Sequence, residues 1–318
     1  MKLGILFAGQ GSQKVGMGKD FYESSESFRG VFDLLNDEQK KIAFEGPAKL
    51  LSDTRNTEPI MVAFALGVYK ELEKNNIKGD MFAGLSLGEY SALGASSVFD
   101  PKTAVSLVSK RAEFMHDAAK EVDCKMMAVM GMEYENLEKI CNSVNKSFAE
   151  DGCEGKHSIV QIANCNCPGQ IVIAGDAKAV EMASEIALEY GAKRALPLAV
   201  SGPFHTSYMK PAGERLAKEL KKAKFAQMKQ PVVFNAIGRE KAEDESIAEL
   251  LEKQVQSSVY FEDCIKTMAE SGIDTFLEIG PGKALSGFVR KTCKGATVIN
   301  IETAEDFANA VSRLKGEL

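Results

Sequence analysis

Residues 84–88 of the chain are Gly84-Leu85-Ser86-Leu87-Gly88, between an apolar run at 81–83 and a helix-like stretch at 89–93. Glycines on both sides of the serine allow a strand to turn sharply into a helix, because side chains there would collide with neighbouring elements. Such a turn exposes the Ser86 hydroxyl at the end of a sheet and directs the N–H of Leu87 toward the same space. The pattern predicts an α/β fold and leaves two interpretations: a serine nucleophile, or an ordinary strand-to-helix turn.

The composition is that of a globular protein, with 318 residues of which 45% are hydrophobic and 26% charged. The formal net charge is -6, and no dense block of Lys and Arg suggests nucleic-acid binding. No apolar stretch approaches the ~20 residues that span a bilayer. Seven cysteines at irregular spacings favour a reducing compartment, and Cys165 and Cys167 lack the second pair that a zinc site needs. We predict a cytoplasmic protein that binds neither metal, membrane nor nucleic acid.

The order of predicted elements divides the chain into two subdomains. Between 125 and 198 the pattern is strand, helix, strand, strand, helix, strand, which is the ferredoxin-like order. Residues 1–124 and 199–318 instead alternate strands and helices, as in parallel α/β sheets. The predicted fold class is α/β: an α/β-hydrolase-like large subdomain with a parallel-sheet core (1–124 and 199–318) and an inserted ferredoxin-like small subdomain (125–198).

A serine hydroxyl needs a base that accepts its proton, and the chain has three histidines as candidates. His116 lies on a predicted helix, one residue away from that helix's apolar stripe. His157 opens a strand of the inserted subdomain beside a lysine, which is typical of a solvated surface. His205 follows small, turn-forming residues where the chain returns to the large subdomain. His205 is therefore the candidate base, and the order Ser86 before His205 agrees with α/β-hydrolase-like enzymes.

Arg111 is a charged residue within the apolar stripe of the helix predicted after Pro101. It shares a face with Val108 and Met115 at helical spacing. A buried guanidinium needs an anionic partner, because burying it alone is costly. The partner is either a carboxylate of the protein or the anionic group of a substrate.

Taken together, these motifs resemble the malonyl-CoA:acyl carrier protein transacylases of type II fatty-acid synthesis, along essentially the whole chain. The matching stretches, in chain order, are Phe7-Ala8-Gly9-Gln10-Gly11-Ser12-Gln13, Gly84-Leu85-Ser86-Leu87-Gly88-Glu89-Tyr90, Lys110-Arg111 with Phe114-Met115, Asn164 and Asn166 with Pro168-Gly169-Gln170, Ser201-Gly202-Pro203-Phe204-His205, and Glu278-Ile279-Gly280-Pro281-Gly282. Six matches in order make the resemblance specific.

The resemblance implies roles for the residues that carry the reaction. Ser86 would attack the malonyl thioester, and His205 would accept its proton. The side-chain carbonyl of Gln254 would orient His205 in place of a triad carboxylate. Backbone N–H groups of Gln10 and Leu87 would hold the tetrahedral oxyanion.

The resemblance also implies residues that select and support the substrate. Arg111 would bind the free malonyl carboxylate, so that its partner arrives with the substrate. Phe204 would fill the space that a methyl branch needs. Asn164 belongs to the matching hairpin of the small subdomain, and Asn235 would support the loop of His205.

The implied activity is ping-pong transfer of a malonyl group from malonyl-CoA to the phosphopantetheine thiol of acyl carrier protein, through a malonyl-serine and without a bound cofactor. In agreement, the glycine-rich turn at 9–13 fits neither a dinucleotide fingerprint nor a P-loop. The acidic carrier protein would need a basic patch, either Lys283, Arg290, Lys291 and Lys294 or the lysines of 218–224.

Departures from the family pattern leave alternatives open. Leu85 stands where the family usually has His, Ala8 replaces a common Pro, and Gln256 and Ser258 replace a common Tyr and Pro. The alternatives are a serine thioesterase or acyl hydrolase with the same Ser86, an acyltransferase of a polyketide pathway, and a non-catalytic module that binds carrier protein.

Overall fold

The computed structural model describes residues 1–120, 122–150 and 159–316. Its strands are β1 (Leu3–Phe7), β2 (Met81–Gly84), β3 (Cys124–Met130), β4 (Val160–Cys167), β5 (Gln170–Asp176), β6 (Arg194–Pro197), β7 (Val232–Phe234), β8 (Arg239–Glu240), β9 (Val259–Tyr260), β10 (Thr275–Ile279) and β11 (Thr297–Ile301).

The helices before the second sheet are α1 (Lys19–Ser24), α2 (Glu26–Phe32), α3 (Asp37–Glu45), α4 (Ala48–Leu51), α5 (Thr54–Lys74), α6 (Gly88–Ala95) and α7 (Pro101–Ala119). Those that follow are α8 (Tyr134–Glu150), α9 (Ala177–Glu189), α10 (Lys210–Leu220), α11 (Ile247–Gln256), α12 (Phe261–Glu270), α13 (Ala284–Thr292) and α14 (Ala304–Lys315), with a short 3₁₀ turn at Ser207–Met209. Within the described ranges, no helix is long and apolar enough to cross a membrane.

The large sheet has the strand order β11-β10-β1-β2-β7-β8. All of its neighbours are parallel except the short β8, which runs antiparallel to β7. Every residue of β1, β2 and β10 is buried, as expected for parallel strands covered on both faces. Since parallel strands end at the same edge, the loops after β1, β2 and β7 meet there, and α/β proteins place their sites at this edge.

The smaller sheet has the order β6-β3-β5-β4-β9. Its first four strands pair antiparallel in the ferredoxin-like arrangement, which confirms the predicted fold class together with the parallel sheet. The fifth strand, β9, was not predicted: it comes from outside 125–198 and pairs parallel with β4. A two-residue strand has too short a pattern to be recognised in a sequence. We propose 1–124 with 199–318 and 125–198 as the two subdomains, with β9 joining the large one to the small sheet.

The strand-to-helix turn depends on two glycines that contact backbone directly. A Cβ on Gly84 would lie 2.0 Å from the carbonyl atoms of Gly88, and one on Gly88 would lie 2.3 Å from the carbonyl oxygen of Phe7. Backbone atoms cannot rotate away as a side chain can, so both positions require glycine for close approach.

We therefore expect Gly84→Ala to lower the free energy of unfolding by about 3 kcal/mol, at the upper end of what overpacking does. The matched control is Gly287→Ala in α13, where an added Cβ meets no atom within 4 Å of the described structure. That change should raise stability by about 0.5–1 kcal/mol, because alanine favours helix over glycine. Urea denaturation of both variants tests the pair, and equal effects would contradict the close-packing argument.

Candidate active site

Ser86 occupies the turn between β2 and α6 in a strained backbone conformation. Its φ is +54°, in the left-handed region that residues other than glycine seldom adopt. Both flanking peptide groups are held by side chains: its N–H donates to Asn235 Oδ1 (2.7 Å), and its carbonyl oxygen accepts from Gln254 Nε2 (2.9 Å). The turn is thus fixed from two directions, and the half-buried hydroxyl is presented at the carboxyl edge of the sheet.

His205 lies directly beside the Ser86 hydroxyl. Nε2 is 2.7 Å from Ser86 Oγ, and Nδ1 is 2.7 Å from the main-chain carbonyl oxygen of Gln254. A carbonyl oxygen only accepts, so Nδ1 carries the proton and Nε2 is left to accept the proton of Ser86. Burial, aided by the charge of Arg111, lowers the pKa of His205 to about 3, which keeps the imidazole neutral near pH 7.

Gln254 contacts His205, but not through the atom that was predicted. The prediction of a side-chain carbonyl was wrong, because the side-chain amide is engaged elsewhere. Its Nε2 donates to the Ser86 carbonyl, and its Oε1 accepts from Arg111 Nη2 at 3.1 Å. The main-chain oxygen near the end of α11 therefore orients the histidine, while the side chain links Ser86 to Arg111.

Arg111 is 1% exposed and reaches the nucleophile from α7. Its Nη2 lies 2.9 Å from Ser86 Oγ, and its Nη1 forms an ion pair with Glu58 of α5, which is also 1% exposed. The expectation that the partner of Arg111 arrives only with a substrate was therefore wrong. Even so, Nε of Arg111 has no hydrogen-bond partner in the described part of the chain, so the guanidinium keeps one donor free.

A pocket of about 120 Å³ opens beside Ser86, between the two sheets. Of the predicted substrate residues, Asn164 and Phe204 line it, whereas Arg111 and Asn235 do not. The wall facing the small sheet includes Met126, Asn164, Asn166 and Val172. The remaining lining residues are Gln10, Glu58, Leu85, Ser86, Met115, Leu198, Val200, Phe204 and His205. A small group attached to Ser86 would thus meet apolar side chains, three side-chain amides and the Glu58 carboxyl group, with Arg111 Nη2 beside Ser86 Oγ.

The two predicted oxyanion donors follow adjacent parallel strands. Phe7 of β1 is in register with Gly84 of β2, so Gln10 and Leu87 each lie three residues beyond that pair. Leu87 directly precedes the first residue of α6, where backbone N–H groups have no partner within the helix. Among the described hydrogen bonds, neither the Gln10 nor the Leu87 N–H has an acceptor. Both are available to a developing negative charge.

The whole chain matches proteins of one kind. Residues 5–312 match the family model described as the acyl transferase domain. The chain is 42% identical to the malonyl CoA-acyl carrier protein transacylase of Bacillus subtilis (strain 168), over 99% of this chain and 98% of that relative. The chain belongs to the malonyl CoA-acyl carrier protein transacylase family. This confirms the resemblance that the sequence motifs indicated.

Solved structures of the transacylase family agree along the full length. A malonyl CoA-acyl carrier protein transacylase from Clostridium perfringens Atcc 13124 superimposes with a TM-score of 0.92 at 41% identity, covering 100% of this chain and 98% of that chain. A second structure is a malonyl-transacylase in complex with its type II PKS acyl-carrier protein. It has a TM-score of 0.91 at 31% identity and covers 98% of this chain and 100% of that one.

In this transacylase, Asn235 supports the nucleophile and not the histidine loop. It follows β7, which is adjacent to β2, so its side chain bridges the turn from Gly84 to Ser86. Its Nδ2 donates to the Gly84 carbonyl oxygen (2.7 Å), its Oδ1 accepts from the Ser86 N–H, and its own N–H donates to Glu89 Oε2 (2.6 Å). The prediction that Asn235 supports the His205 loop was wrong.

Sequence reasoning missed the two buried carboxyl groups of the site, Glu58 and Glu89. Burial raises the pKa of both, that of Glu89 to about 8. Glu58 had a detectable signal: it directly precedes the apolar run 59–68 in α5, so that helix, like α7, carries one charge within a buried stripe. Two buried apolar helix faces, one with a single acidic residue and the other with a single basic residue, predict a buried ion pair.

Of the other two histidines, His116 is within the described residues, and it pairs with another group than the nucleophile. His116 lies on α7 with Nδ1 4.0 Å from Asp53 Oδ1, at the start of α5. His157 lies outside the described residues. Within those residues, no group of three or more His, Cys, Asp or Glu side chains is placed to hold a metal ion.

Proposed function

We propose that the chain transfers a malonyl group from malonyl-CoA to the phosphopantetheine thiol of acyl carrier protein, in fatty-acid biosynthesis, through a malonyl ester on Ser86. The observation that supports the proposal best is the environment of the Ser86 hydroxyl. Ser86 Oγ lies 2.7 Å from a neutral histidine nitrogen and 2.9 Å from a buried guanidinium. A base activates the nucleophile, and a cation beside it selects an acyl group with a free carboxylate.

In the first half-reaction, His205 Nε2 takes the proton of Ser86 Oγ as the oxygen attacks the thioester carbonyl. The N–H groups of Gln10 and Leu87 hold the resulting oxyanion, and one such donor is worth about 3 kcal/mol in enzymes of this type. When the intermediate collapses, the C–S bond breaks and the CoA sulfur takes the proton from His205. The products are CoA and the malonyl ester of Ser86.

The second half-reaction reverses these steps with a new thiol. The phosphopantetheine thiol gives its proton to His205, and its sulfur attacks the ester carbonyl. The C–O bond to Ser86 breaks, and Ser86 Oγ recovers the proton. Every group that this sequence of steps uses belongs to the chain or to its two substrates, so we propose no bound cofactor.

Arg111 and Phe204 provide the proposed selectivity. A planar guanidinium binds a carboxylate through two parallel hydrogen bonds, which an acetyl group cannot make. The buried ring of Phe204 lines the pocket and limits the room for a branch next to the carbonyl. One methyl group changes the free energy of discrimination by only about 1–3 kcal/mol. Discrimination of malonyl from methylmalonyl should therefore be weaker than discrimination of malonyl from acetyl.

For the partner, we propose acyl carrier protein, docked on a basic surface of the chain. Of the two predicted patches, the one at 218–224 is partly neutralised, since Glu219 pairs with both Lys110 and Lys222. This favours Lys283, Arg290, Lys291 and Lys294 on and around α13. We further propose a cytoplasmic location, supported by the unpaired state of the described cysteines.

Intact-protein mass spectrometry after brief mixing with malonyl-CoA tests the function. We expect a malonyl-sized adduct on the wild-type protein, none on Ser86→Ala, and discharge of the adduct by holo acyl carrier protein. Acetyl-CoA, which lacks the carboxylate, serves as the matched substrate and should give little adduct. Release of CoA without an adduct would instead indicate a hydrolase, and neither adduct nor release would indicate a non-catalytic binding module.

A further inference from the structure

Glu58 neutralises Arg111 before any substrate is present. The two side chains come from the packed helices α5 and α7, each is 1% exposed, and they form a direct ion pair. Glu58 also lines the same pocket as Ser86. The cation that the proposed function assigns to the malonyl carboxylate therefore already has a carboxylate partner.

The other titratable groups around this pair leave the site without net charge. Glu89 and Tyr90 of α6 are buried, and burial raises the pKa of Glu89 to about 8 and that of Tyr90 above its usual range. The Tyr90 ring lies 5.9 Å from the guanidinium, and His205 is neutral because its pKa is lowered to about 3. The charges left at the site are therefore those of the Arg111–Glu58 ion pair, which sum to zero.

A second cluster at the start of α5 does not change this sum. There Asp53 forms an exposed ion pair with Arg55 and lies beside His116. A malonyl carboxylate that enters the pocket accordingly adds one uncompensated negative charge to a buried site. Burying an uncompensated charge is unfavourable in free energy, and a nearby buried group commonly changes its protonation state in response.

The guanidinium has room for a second carboxylate beside Glu58. Nη1 of Arg111 is taken by Glu58, Nη2 donates to Ser86 Oγ and to Gln254 Oε1, and Nε has no partner in the described structure. A substrate carboxylate can bind the edge formed by Nε and Nη2 through two hydrogen bonds, taking the free Nε–H and replacing one of the two neutral acceptors of Nη2. Two carboxylates on one guanidinium repel each other, and protonation of one of them removes the repulsion. The second oxygen of Glu58, Oε2, has no hydrogen-bond partner among the described residues and can carry that proton.

We propose that Glu58 takes up one proton from solvent when the malonyl carboxylate binds Arg111, so that malonyl loading is coupled to proton uptake. An O–H bond forms on the Glu58 carboxyl group as the malonyl group docks, and the same proton returns to solvent when malonyl leaves on the carrier protein. Uncharged acyl groups take up no proton. The inference rests on the proposed function and makes Glu58 a positioning and selectivity residue that acts through Arg111.

The pH dependence of kcat/KM tests the coupling, with the malonyl thioester of N-acetylcysteamine as the substrate because it carries no phosphate. For wild type, kcat/KM should fall toward tenfold per pH unit above the pKa of Glu58, since only the protonated form accepts malonyl without charge imbalance. Glu58→Gln cannot ionise and should lose this slope, whereas Glu58→Asp should keep it. Glu89→Gln is the matched control and should also keep it. A wild-type slope in Glu58→Gln would overturn the proposal.

Counting protons gives a second readout that does not depend on turnover. Malonyl-CoA binding to Ser86→Ala, measured by calorimetry in buffers of different ionisation enthalpy, should take up about one proton more than binding to Ser86→Ala/Glu58→Gln. Equal proton counts would overturn the coupling even if wild type forms the malonyl ester. Absence of a malonyl adduct on wild type would instead contradict the proposed function, so the two failures are distinguishable. If Glu58→Gln folds poorly, the comparison is made on the wild-type protein with the acetyl thioester in place of the malonyl thioester. The pH profile of kcat/KM for acetyl should lack the fall seen for malonyl. An equal fall for both thioesters would overturn the proposal.

Discussion

His205→Ala should slow the formation of the malonyl ester on Ser86 by about 10⁴-fold. The hydroxyl has two close neighbours, His205 Nε2 at 2.7 Å and Arg111 Nη2 at 2.9 Å, and a guanidinium cannot accept a proton. Without the imidazole the proton has no acceptor, while the oxyanion donors and the binding pocket remain. Rapid quenching of a single turnover, followed by intact-protein mass spectrometry, measures this rate without interference from product release.

The matched control for this variant is His116→Ala, since His116 lies on α7 away from the nucleophile. It should change the rate by less than about twofold. Wild type should also show no loss of rate from protonation of His205 between about pH 5 and 7, because the pKa of His205 is lowered to about 3 and its base form persists there. If His205→Ala kept a tenth or more of the wild-type rate, another group would have to be the base.

The parts of the site that depend on local sequence were predictable. Gly84 and Gly88 have fixed spacing around Ser86, and the steric demand of the turn depends only on those neighbours. His205 was identified because the chain has so few histidines that elimination was enough. Arg111 was identified from helical periodicity, which is a property of a single element. In each case the deciding information was in the sequence itself and did not depend on which elements pack together.

The parts that were missed depend on contacts between elements far apart in the chain. Asn235 reaches Ser86, 149 residues away, only because β7 pairs with β2, and strand order is not encoded locally. The oxygen that orients His205 belongs to the backbone of Gln254, and every residue carries such an oxygen, so no residue type marks it. Glu58 and Arg111 meet because α5 packs on α7, which neither helix specifies alone.

Because Arg111 is both the proposed malonyl anchor and half of a buried ion pair, Arg111→Met should have two separable effects. Malonyl transfer should fall by about 10³-fold, the range for losing one partner of a buried charge-assisted pair. The free energy of unfolding should also drop by about 3–5 kcal/mol near neutral pH, because Glu58 is left buried without a counter-charge. The loss of stability should shrink as the pH falls, since a protonated Glu58 carries no charge to bury.

A double variant, Glu58→Leu/Arg111→Met, separates the two effects. An apolar pair of similar volume removes the unpaired charge, so the free energy of unfolding should return to the wild-type value or above it. Malonyl transfer should stay low, while transfer of acetyl, which needs no cation, should rise relative to malonyl. Lys110→Ala is the matched control: Lys110 adjoins Arg111 but pairs at the surface with Glu219, so both quantities should stay near wild type. If the double variant recovers both malonyl transfer and the free energy of unfolding, Arg111 acts only by stabilising the fold. If it recovers the free energy of unfolding but not malonyl transfer, the guanidinium itself recognises the carboxylate.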